Sequence, residues 1–272
     1  MSVDFQIKEN YNMEDLLRLI TVLRSPGGCP WDMKQTHESI KKNFIEETYE
    51  VVEAINKKDT AGLREELGDV LLQVLLHCEM EKEKETFDFN DVVNELCQKL
   101  VVRHPHVFGD KSAADSAEAL ERWDEIKLKT KGMKKQSESM LKVPREFPAL
   151  MRAQKVQQKA GFDWSSSDGA FQKLHEEINE LENALSEKDK AHIDEEFGDV
   201  LFSCVNVSRF IGADSEEALT GATDKFIGRY LIVEKLAQER GIDMKNSSID
   251  VLDSLWDEAK IKFADMAKTE EM

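Results

Sequence analysis

Two acidic clusters with the same internal spacing are the residues of this sequence best placed to do chemistry. The first consists of three glutamates and, after a gap of fifteen residues, two further carboxylates: Glu46, Glu47, Glu50, Glu66 and Asp69. The second repeats the pattern 130 positions later: Glu176, Glu177, Glu180, Glu196 and Asp199. Crowded carboxylates repel one another and raise one another's pKa unless a cation joins them. Because an all-oxygen ligand set selects a hard cation, the pattern favours Mg²⁺, with Mn²⁺ as the alternative.

The spacing within each cluster is that of residues on a helix face. Positions i and i+4 share one face of an α-helix, and position i+1 lies about 100° round. Glu46 and Glu50, or Glu47 and Glu50, can therefore converge, and Glu66 can join Asp69 at i+3. Two such helices packed antiparallel would point four or five carboxylates into one small volume. A solvated acidic face is the alternative in a chain with 34% charged residues, but the duplicated spacing disfavours it.

Helices are predicted to hold the first cluster. Residues 36–56 have an apolar side and carry the three glutamates, and a second helix is predicted over 62–83. The run 70–76 in it is apolar almost all round, which predicts a central, buried helix. Further helices are expected from a cap at Asn90 to Arg103, where His104-Pro105 ends the helix, and over about 116–131.

The second half repeats this order after a segment rich in Lys, Ser and Pro. We expect an N-terminal domain over 1–130, a linker over 131–147 and a C-terminal domain over 148–272. A helix begins near Pro148, a loop covers 161–168, and the two acidic helices follow. Later helices carry Lys225 with Arg229, and Trp256. Few segments alternate with period two, so the predicted fold class is all-α.

Composition excludes several classes of function. The formal net charge of −18 would repel a nucleic-acid backbone, so we expect no nucleic-acid polymer as a partner. The chain shows neither the apolar stretch of a signal peptide nor a run of about eighteen apolar residues that could span a membrane. Four scattered cysteines without a C-x-x-C pair predict reduced, mostly buried thiols in a cytoplasmic protein.

Other metal and phosphate motifs do not fit. None of the six histidines has a glutamate three residues before it, as di-iron carboxylate bundles require. A P-loop, G-x-x-x-x-G-K-[ST], does not occur, so a P-loop NTPase is excluded. The chain also has no His-Asp pair, which disfavours phosphohydrolases built on that dipeptide.

The acidic pattern E-E-x-x-E followed by E-x-x-D resembles that of the all-α nucleoside triphosphate pyrophosphohydrolases. The flanking blocks are similar to those of the two-domain, MazG-type members: Gly28-Cys-Pro-Trp-Asp32, Arg103-His-Pro-His-Val-Phe108, Pro148-Ala-Leu-Met-Arg-Ala-Gln154 and Gly161-Phe-Asp-Trp164. The resemblance covers residues 13–260. It implies two tandem MazG-type modules of four or five helices that pair into bundles in a homodimer. It also implies Mg²⁺-dependent hydrolysis of a nucleoside triphosphate to the monophosphate and pyrophosphate.

With this resemblance, each carboxylate receives an expected role. The expected metal ligands of the second half are Glu177, Glu180, Glu196 and Asp199, and those of the first half are Glu47, Glu50, Glu66 and Asp69. Glu176 would orient or deprotonate the attacking water, and Glu46 is its counterpart.

Basic and polar residues are the candidate substrate contacts. Lys225 and Arg229 lie one helical turn apart and could clamp the phosphates, as could Lys99 and Arg103 in the first half. Further candidates are Lys173 for a phosphate, Asn206 for the sugar or a metal-bound water, and Trp256 for the base. A solvated basic face and a core tryptophan are the alternatives.

The halves differ in these contacts. Leu76 stands where the second half has Asn206, and the tryptophan follows Arg103 by twenty residues but Arg229 by twenty-seven. We therefore expect the second half to carry the activity. Two rival hypotheses remain: the first half is a nucleotide or metal sensor that regulates the second, or the whole chain is a non-catalytic helical scaffold.

Overall fold

The computed structural model describes residues 5–109, 115, 126, 136–161 and 164–270. Over these residues the chain is helical and contains no β-strand, which confirms the all-α prediction. Two compact units are formed, Met1–Lys131 and Gly132–Met272. The finer domain and linker boundaries stay a prediction.

The first unit contains five helices among its described residues. They are α1 (Met13–Arg24), α2 (His37–Asn56), α3 (Thr60–Lys82), α4 (Phe89–Arg103) and the one-turn α5 (Pro105–Phe108), with a 3-10 turn at Asp32–Lys34. The helix predicted over 116–131 lies outside the described residues, apart from residue 126. The expected cap at Asn90 is wrong, because the side chain of Asp88 accepts hydrogen bonds from the amides of Asn90 and Asp91 and so begins α4 earlier.

Helices α2 and α3 form an antiparallel hairpin that carries the first acidic cluster. The hydroxyl of Thr36 caps α2, and the carboxylate of Asp59 caps α3. Lys58, between the two helices, has a positive φ of 56° that turns the chain back. A core cluster of Ile20, Ile40, Leu75, Leu76 and Met80 joins α1 to both helices. This core holds the first half of α2 and the second half of α3.

The second unit contains six helices among its described residues. They are α6 (Gln136–Leu141), α7 (Ala149–Ala160), α8 (Ser167–Glu187), α9 (Lys190–Ile211), α10 (Ser215–Arg240) and α11 (Ile249–Glu270). Helix α6 falls within the predicted linker. There the hydroxyl of Ser139, which is buried, accepts a hydrogen bond of 2.8 Å from Nζ of Lys159 on α7.

The α8–α9 hairpin repeats the backbone of the α2–α3 hairpin. Lys188 has a φ of 60° at its turn, and Asp189 caps α9, at the positions that Lys58 and Asp59 hold in the first unit. Helix α7 packs against α9 and α10, and α10 packs against α11. The core of the α10–α11 pair includes Val233, Leu236 and Leu255.

The cysteines are free, as expected, but the prediction that they are mostly buried is wrong. Only Cys78 is buried, Cys29 is partly exposed, and Cys97 and Cys204 are exposed. Cys97 is exposed because its helix, α4, has no buried residue. Among the described helices, none combines the length and apolar character that a membrane crossing requires.

Candidate functional site

The first acidic cluster lies between α2 and α3. Carboxylate oxygens of Glu47, Glu66 and Asp69 come within 4.8 Å of one another, and all three residues are partly buried. This grouping selects Glu47 over Glu46 as the residue of α2 that faces α3. Glu46 is exposed on the neighbouring face.

Burial and neighbouring carboxylates raise pKa values within this cluster. Burial raises the pKa of Glu47, and a hydrogen bond with Glu50 and the charge of Asp69 raise it further. Burial raises the pKa of Glu66 as well, followed by the charge of Glu50. Glu50 therefore lies beside both residues, although it is exposed. A cation bound among these groups would relieve the repulsion.

The second cluster has the same arrangement between α8 and α9. Carboxylate oxygens of Glu177, Glu196 and Asp199 lie within 4.8 Å of one another. Glu177 is only 6% exposed, whereas Glu196 is partly buried and Asp199 is exposed. A hydrogen bond with Glu177 raises the pKa of Glu180, and burial and the charges of Glu177 and Glu196 act in the same direction. The four expected ligands of this half are thus gathered at one place.

Lys173 is the counter-ion of the second cluster. Its Nζ lies 2.8 Å from Oε1 of Glu176 and 2.9 Å from Oε1 of Glu177. The hydrogen bonds with Glu176 and then Glu177 raise the pKa of Lys173 far above its ordinary value. Glu176 is exposed and held by this contact beside the cluster. The first unit has Asn43 at the position of Lys173, so the same support is missing there.

His192 is a further member of the site that sequence reasoning missed. Its Nε2 lies 3.1 Å from Oε1 of Glu196, and its Nδ1 lies 3.0 Å from Oε2 of Glu187. The hydrogen bond with Glu187 raises the pKa of His192, and the bond with Glu196 adds to this. The spacing of His192 and Glu196, i and i+4 on one helix, is the signal that could have revealed it.

The residues present fit a hard divalent cation. Oε2 of Glu196 is buried and has no hydrogen-bond partner, although its carboxylate lies among other carboxylates. An unpaired buried oxygen of this kind is costly unless a cation meets it. The donors of both clusters are carboxylate oxygens, which suit Mg²⁺ or Mn²⁺ better than softer metals.

The expected substrate contacts of the second half lie on three helices: Asn206 on α9, Lys225 and Arg229 on α10, and Trp256 on α11. Oδ1 of Asn206 on α9 accepts a hydrogen bond of 3.1 Å from Arg209. Lys225 is exposed on α10, while Arg229 stands 5.9 Å over the ring of Phe263 and has a buried Nε without a hydrogen-bond partner.

Trp256 is partly buried against the core of the α10–α11 pair, and its ring lies 5.0 Å from that of Phe226. The main packing partners of α10 are α11 and α7. Across the described residues, no hydrogen bond or ion pair joins Lys225, Arg229 or Trp256 to the carboxylates of α8 and α9. Within one chain, the described residues therefore bring the expected metal ligands together, without a direct polar contact to this set.

The corresponding basic residues of the first half are on α4. Lys99 is exposed and Arg103 is partly buried, both in the last part of that helix. Phe89, at the opposite end of α4, packs against the core of the first unit. Several large apolar side chains along α4 are exposed, including Leu96 at 44%.

Comparison with known proteins matches both hairpins to one family. The sequence profile of the MazG nucleotide pyrophosphohydrolase domain matches residues 35–108 and 166–233. These ranges contain every carboxylate of the two clusters and both basic pairs, but Trp256 lies beyond them.

Two relatives match nearly end to end. The chain is 44% identical over 250 residues to the nucleoside triphosphate pyrophosphohydrolase/pyrophosphatase MazG of Thermotoga maritima, covering 91% of this chain and 95% of that protein. It is 41% identical over 263 residues to a nucleoside triphosphate pyrophosphohydrolase of Escherichia coli K12, covering 93% and 100%. An uncharacterized protein of Bacillus subtilis, YabN, is 46% identical over 248 residues, covering 89% of this chain and 50% of its own length. Two profile matches and two near full-length relatives show that this chain belongs to the MazG nucleotide pyrophosphohydrolase family.

Proposed function

We propose that this protein hydrolyses nucleoside triphosphates, including deoxynucleotides, to the monophosphate and pyrophosphate at the α8–α9 hairpin. One observation carries the proposal: the buried carboxylate of Glu177 meets Glu196 and Asp199 in a chain whose near full-length relatives are nucleoside triphosphate pyrophosphohydrolases. Attack of water at the α-phosphorus would break its bond to the bridging oxygen, leave the water oxygen on the monophosphate and release pyrophosphate. Positioning and neutralisation of spreading negative charge are the main demands of such a reaction.

Mg²⁺ is the proposed cofactor, with Mn²⁺ as a substitute. Glu177, Glu180, Glu196 and Asp199 would hold it, because they supply oxygen donors and one unpaired buried oxygen. A bound Mg²⁺ would neutralise triphosphate oxygens and lower the pKa of a water molecule. Glu47, Glu50, Glu66 and Asp69 would bind a cation in the same way in the first unit.

Glu176 and Lys173 would act on the water and the phosphates. Glu176 is exposed beside the cluster, where its carboxylate can orient the attacking water and take its proton. Lys173 fixes this carboxylate through their contact of 2.8 Å. Its ammonium group also reduces the negative potential that a triphosphate must approach. In the first unit Glu46 lacks a lysine at the matching position.

A homodimer would complete the substrate site. Lys225, Arg229, Trp256 and Asn206 are proposed to contact the nucleotide, yet among the described residues the first three form no hydrogen bond or ion pair with the carboxylates. Helix α10 exposes Phe226, Ile227 and Leu231, the last at 60% exposure. Exposed apolar surface of this extent marks a contact with another molecule. We propose that a second copy covers it, like unit on like unit.

Substitution on this apolar surface tests the dimer. We expect the parent to be dimeric by light scattering, and Leu231→Glu to make it monomeric with at least about 10-fold lower turnover, because it places a charge in an apolar contact. Ile7→Glu is the control, since Ile7 is 87% exposed near the N-terminus. A Leu231→Glu protein that is dimeric and fully active would contradict the proposal.

Sensing of a nucleotide or metal by the first unit is the second candidate function. Leu76, at the position of Asn206, is only 3% exposed and belongs to the core, so it offers no contact to a substrate. Asn43 and Gly62 stand where the second unit has Lys173 and His192. These differences favour cation binding without turnover in the first unit. The duplicated ligand set disfavours a scaffold without any bound cation.

Product analysis tests the reaction. The protein is incubated with each NTP and dNTP and Mg²⁺ in ¹⁸O-labelled water. We expect the monophosphate and pyrophosphate, with the label in the monophosphate, because water attacks the α-phosphorus. Orthophosphate with a diphosphate would overturn the proposed reaction, and label in pyrophosphate would overturn the site of attack.

Small nucleotides of the cytoplasm are the proposed substrates. The net charge of −18 opposes a nucleic-acid polymer, whereas Mg²⁺ and the basic side chains can offset the charge of a single triphosphate. Removal of damaged or surplus nucleotides would follow from such an activity, with an influence on nucleotide-based stress signalling.

A further inference from the structure

His192 occupies a bridging position at the turn of the α8–α9 hairpin. It is the third residue of α9, and Glu196 follows one helical turn later. Glu187, the last residue of α8, approaches the opposite side of the imidazole. The two contacts, 3.0 Å from Nδ1 to Glu187 and 3.1 Å from Nε2 to Glu196, hold the ring at both nitrogens.

This bridge fixes one of the two oxygens of Glu196. An ionised carboxylate can only accept hydrogen bonds, so the N–H of Nε2 donates to Oε1. The other oxygen, Oε2, is buried and has no hydrogen-bond partner among the described residues. Rotation of the carboxylate would break the bond from His192. The imidazole therefore determines which oxygen of Glu196 is left for a cation.

We propose that His192 is a positioning residue that holds Glu196 in the orientation required to bind the cation of the second cluster. This inference rests on the proposed function, in which Glu196 is a metal ligand. Groups that hydrogen-bond to metal ligands affect metal affinity by about 10-fold to 100-fold when they are removed. Glu187 supports the role, because it orients the ring from the other side.

The first unit does not have a histidine at the position of His192. Gly62 occupies the position of His192, and Lys57 occupies that of Glu187. A Cβ atom at Gly62 would lie only 2.7 Å from Oδ2 of the capping residue Asp59. Asp59 accepts hydrogen bonds from the amides of both Ala61 and Gly62, which keeps its carboxylate over this position. The first cluster must therefore bind a cation without such support.

Two isosteric substitutions test the role of Nε2. The side-chain amide nitrogen of glutamine can take the place of Nε2, whereas that of asparagine takes the place of Nδ1. In a full-length Glu66→Gln/Asp69→Asn background, which removes the first cluster, Mg²⁺ binding is titrated by calorimetry. We expect His192→Asn to weaken Mg²⁺ binding by about 10-fold, and His192→Gln to stay within about two-fold of the background protein.

The controls separate this role from folding and from the proposed function. The melting temperature of each variant is measured without a cation, as the control for folding. Glu187→Ala changes an exposed residue and leaves His192 in place, so it should weaken Mg²⁺ binding less than His192→Asn does. The proposed metal site itself would be overturned by either of two results. The background protein fails to bind Mg²⁺, or it still binds Mg²⁺ after Glu180→Gln is added to it. Binding that is present in the background and is unchanged, or equally weakened, in both His192 variants would overturn the positioning role alone.

Discussion

The two hairpins hold carboxylates at the same positions of the same backbone but surround them with different side chains. In α8–α9, Lys173 contacts Glu176 and Glu177, and His192 contacts Glu196. In α2–α3, Asn43 and Gly62 occupy the matching positions. Burial and neighbouring carboxylates raise the pKa values of Glu47 and Glu66. In the second hairpin, the charge of Lys173 opposes the rise in the pKa of Glu180 that Glu177 and burial cause. Two hairpins with carboxylates at the same positions are therefore not equivalent in the side chains around those carboxylates.

Histidines also stabilise the hairpins at opposite ends. In the first unit, Nε2 of His37 at the start of α2 lies 2.5 Å from Glu81 at the end of α3, and its Nδ1 lies 2.6 Å from Nδ1 of His77. In the second unit, His192 joins the helices at the turn, beside the carboxylates. Of these two arrangements, the second contacts a proposed metal ligand, Glu196. The histidine contacts therefore differ between the two hairpins, whereas the carboxylates of the two clusters occupy the same positions.

The largest expected difference between the hairpins is in turnover. Glu180→Gln should reduce pyrophosphate release by at least about 100-fold, because it removes a proposed ligand of the catalytic cation. Glu50→Gln, the matched change in the first unit, should leave most of the activity. Steady-state rates at saturating NTP and Mg²⁺ measure both effects.

Other results for these two variants would change the assignment of activity to the second hairpin. Equal losses would mean that both hairpins are catalytic or tightly coupled, and loss only in Glu50→Gln would reverse the assignment. Helical content by circular dichroism should be unchanged in both variants, since neither residue belongs to a core cluster.

A smaller difference is expected in stability without a cation. Glu66→Gln should raise the melting temperature by about 2 °C in chelator, because it removes a repelling charge from a cluster without a lysine. Glu177→Gln should not, because Lys173 loses one of its two partners. Calorimetry measures both, with the exposed Glu95→Gln on α4 as the control for charge removal. The same rise in both variants would show that Lys173 does not neutralise its cluster.

The smallest expected difference is in acid sensitivity. Hydrogen bonds from Lys84, then Thr86 and His37, lower the pKa of Glu81 to about 2. A carboxyl with a lowered pKa in the folded protein stabilises it above the unfolded pKa near 4.5, and this contribution is lost as the pH falls toward 2. Melting temperatures from pH 5 to 3 should therefore fall less in Glu81→Gln than in the parent. Ile211 occupies the matching position of the second unit, so Ile211→Gln should leave the pH dependence unchanged.

The sequence predicts most of the described helices, and the errors in the prediction have local causes. The breaks at Pro105 and Pro148 are where the residues predict them, and α2 begins one residue after the predicted start because Thr36 is its cap. Helix α1 was not predicted, although Asn12 and Asp15 form its capping box. The cap of α4 was placed at Asn90 instead of Asp88 because both residue types cap helices, and only the backbone conformation distinguishes them.

Periodicity determined which carboxylates could meet, and the tertiary structure decided what surrounds them. Positions three or four apart share a helix face in any sequence, so the cluster of Glu177, Glu196 and Asp199 follows from spacing and an antiparallel hairpin. The bridge from His192 to Glu187 depends on how a turn closes. The position of Arg229 over the ring of Phe263 depends on the packing of α10 against α11. Both are set by contacts between elements, which spacing along one helix does not encode.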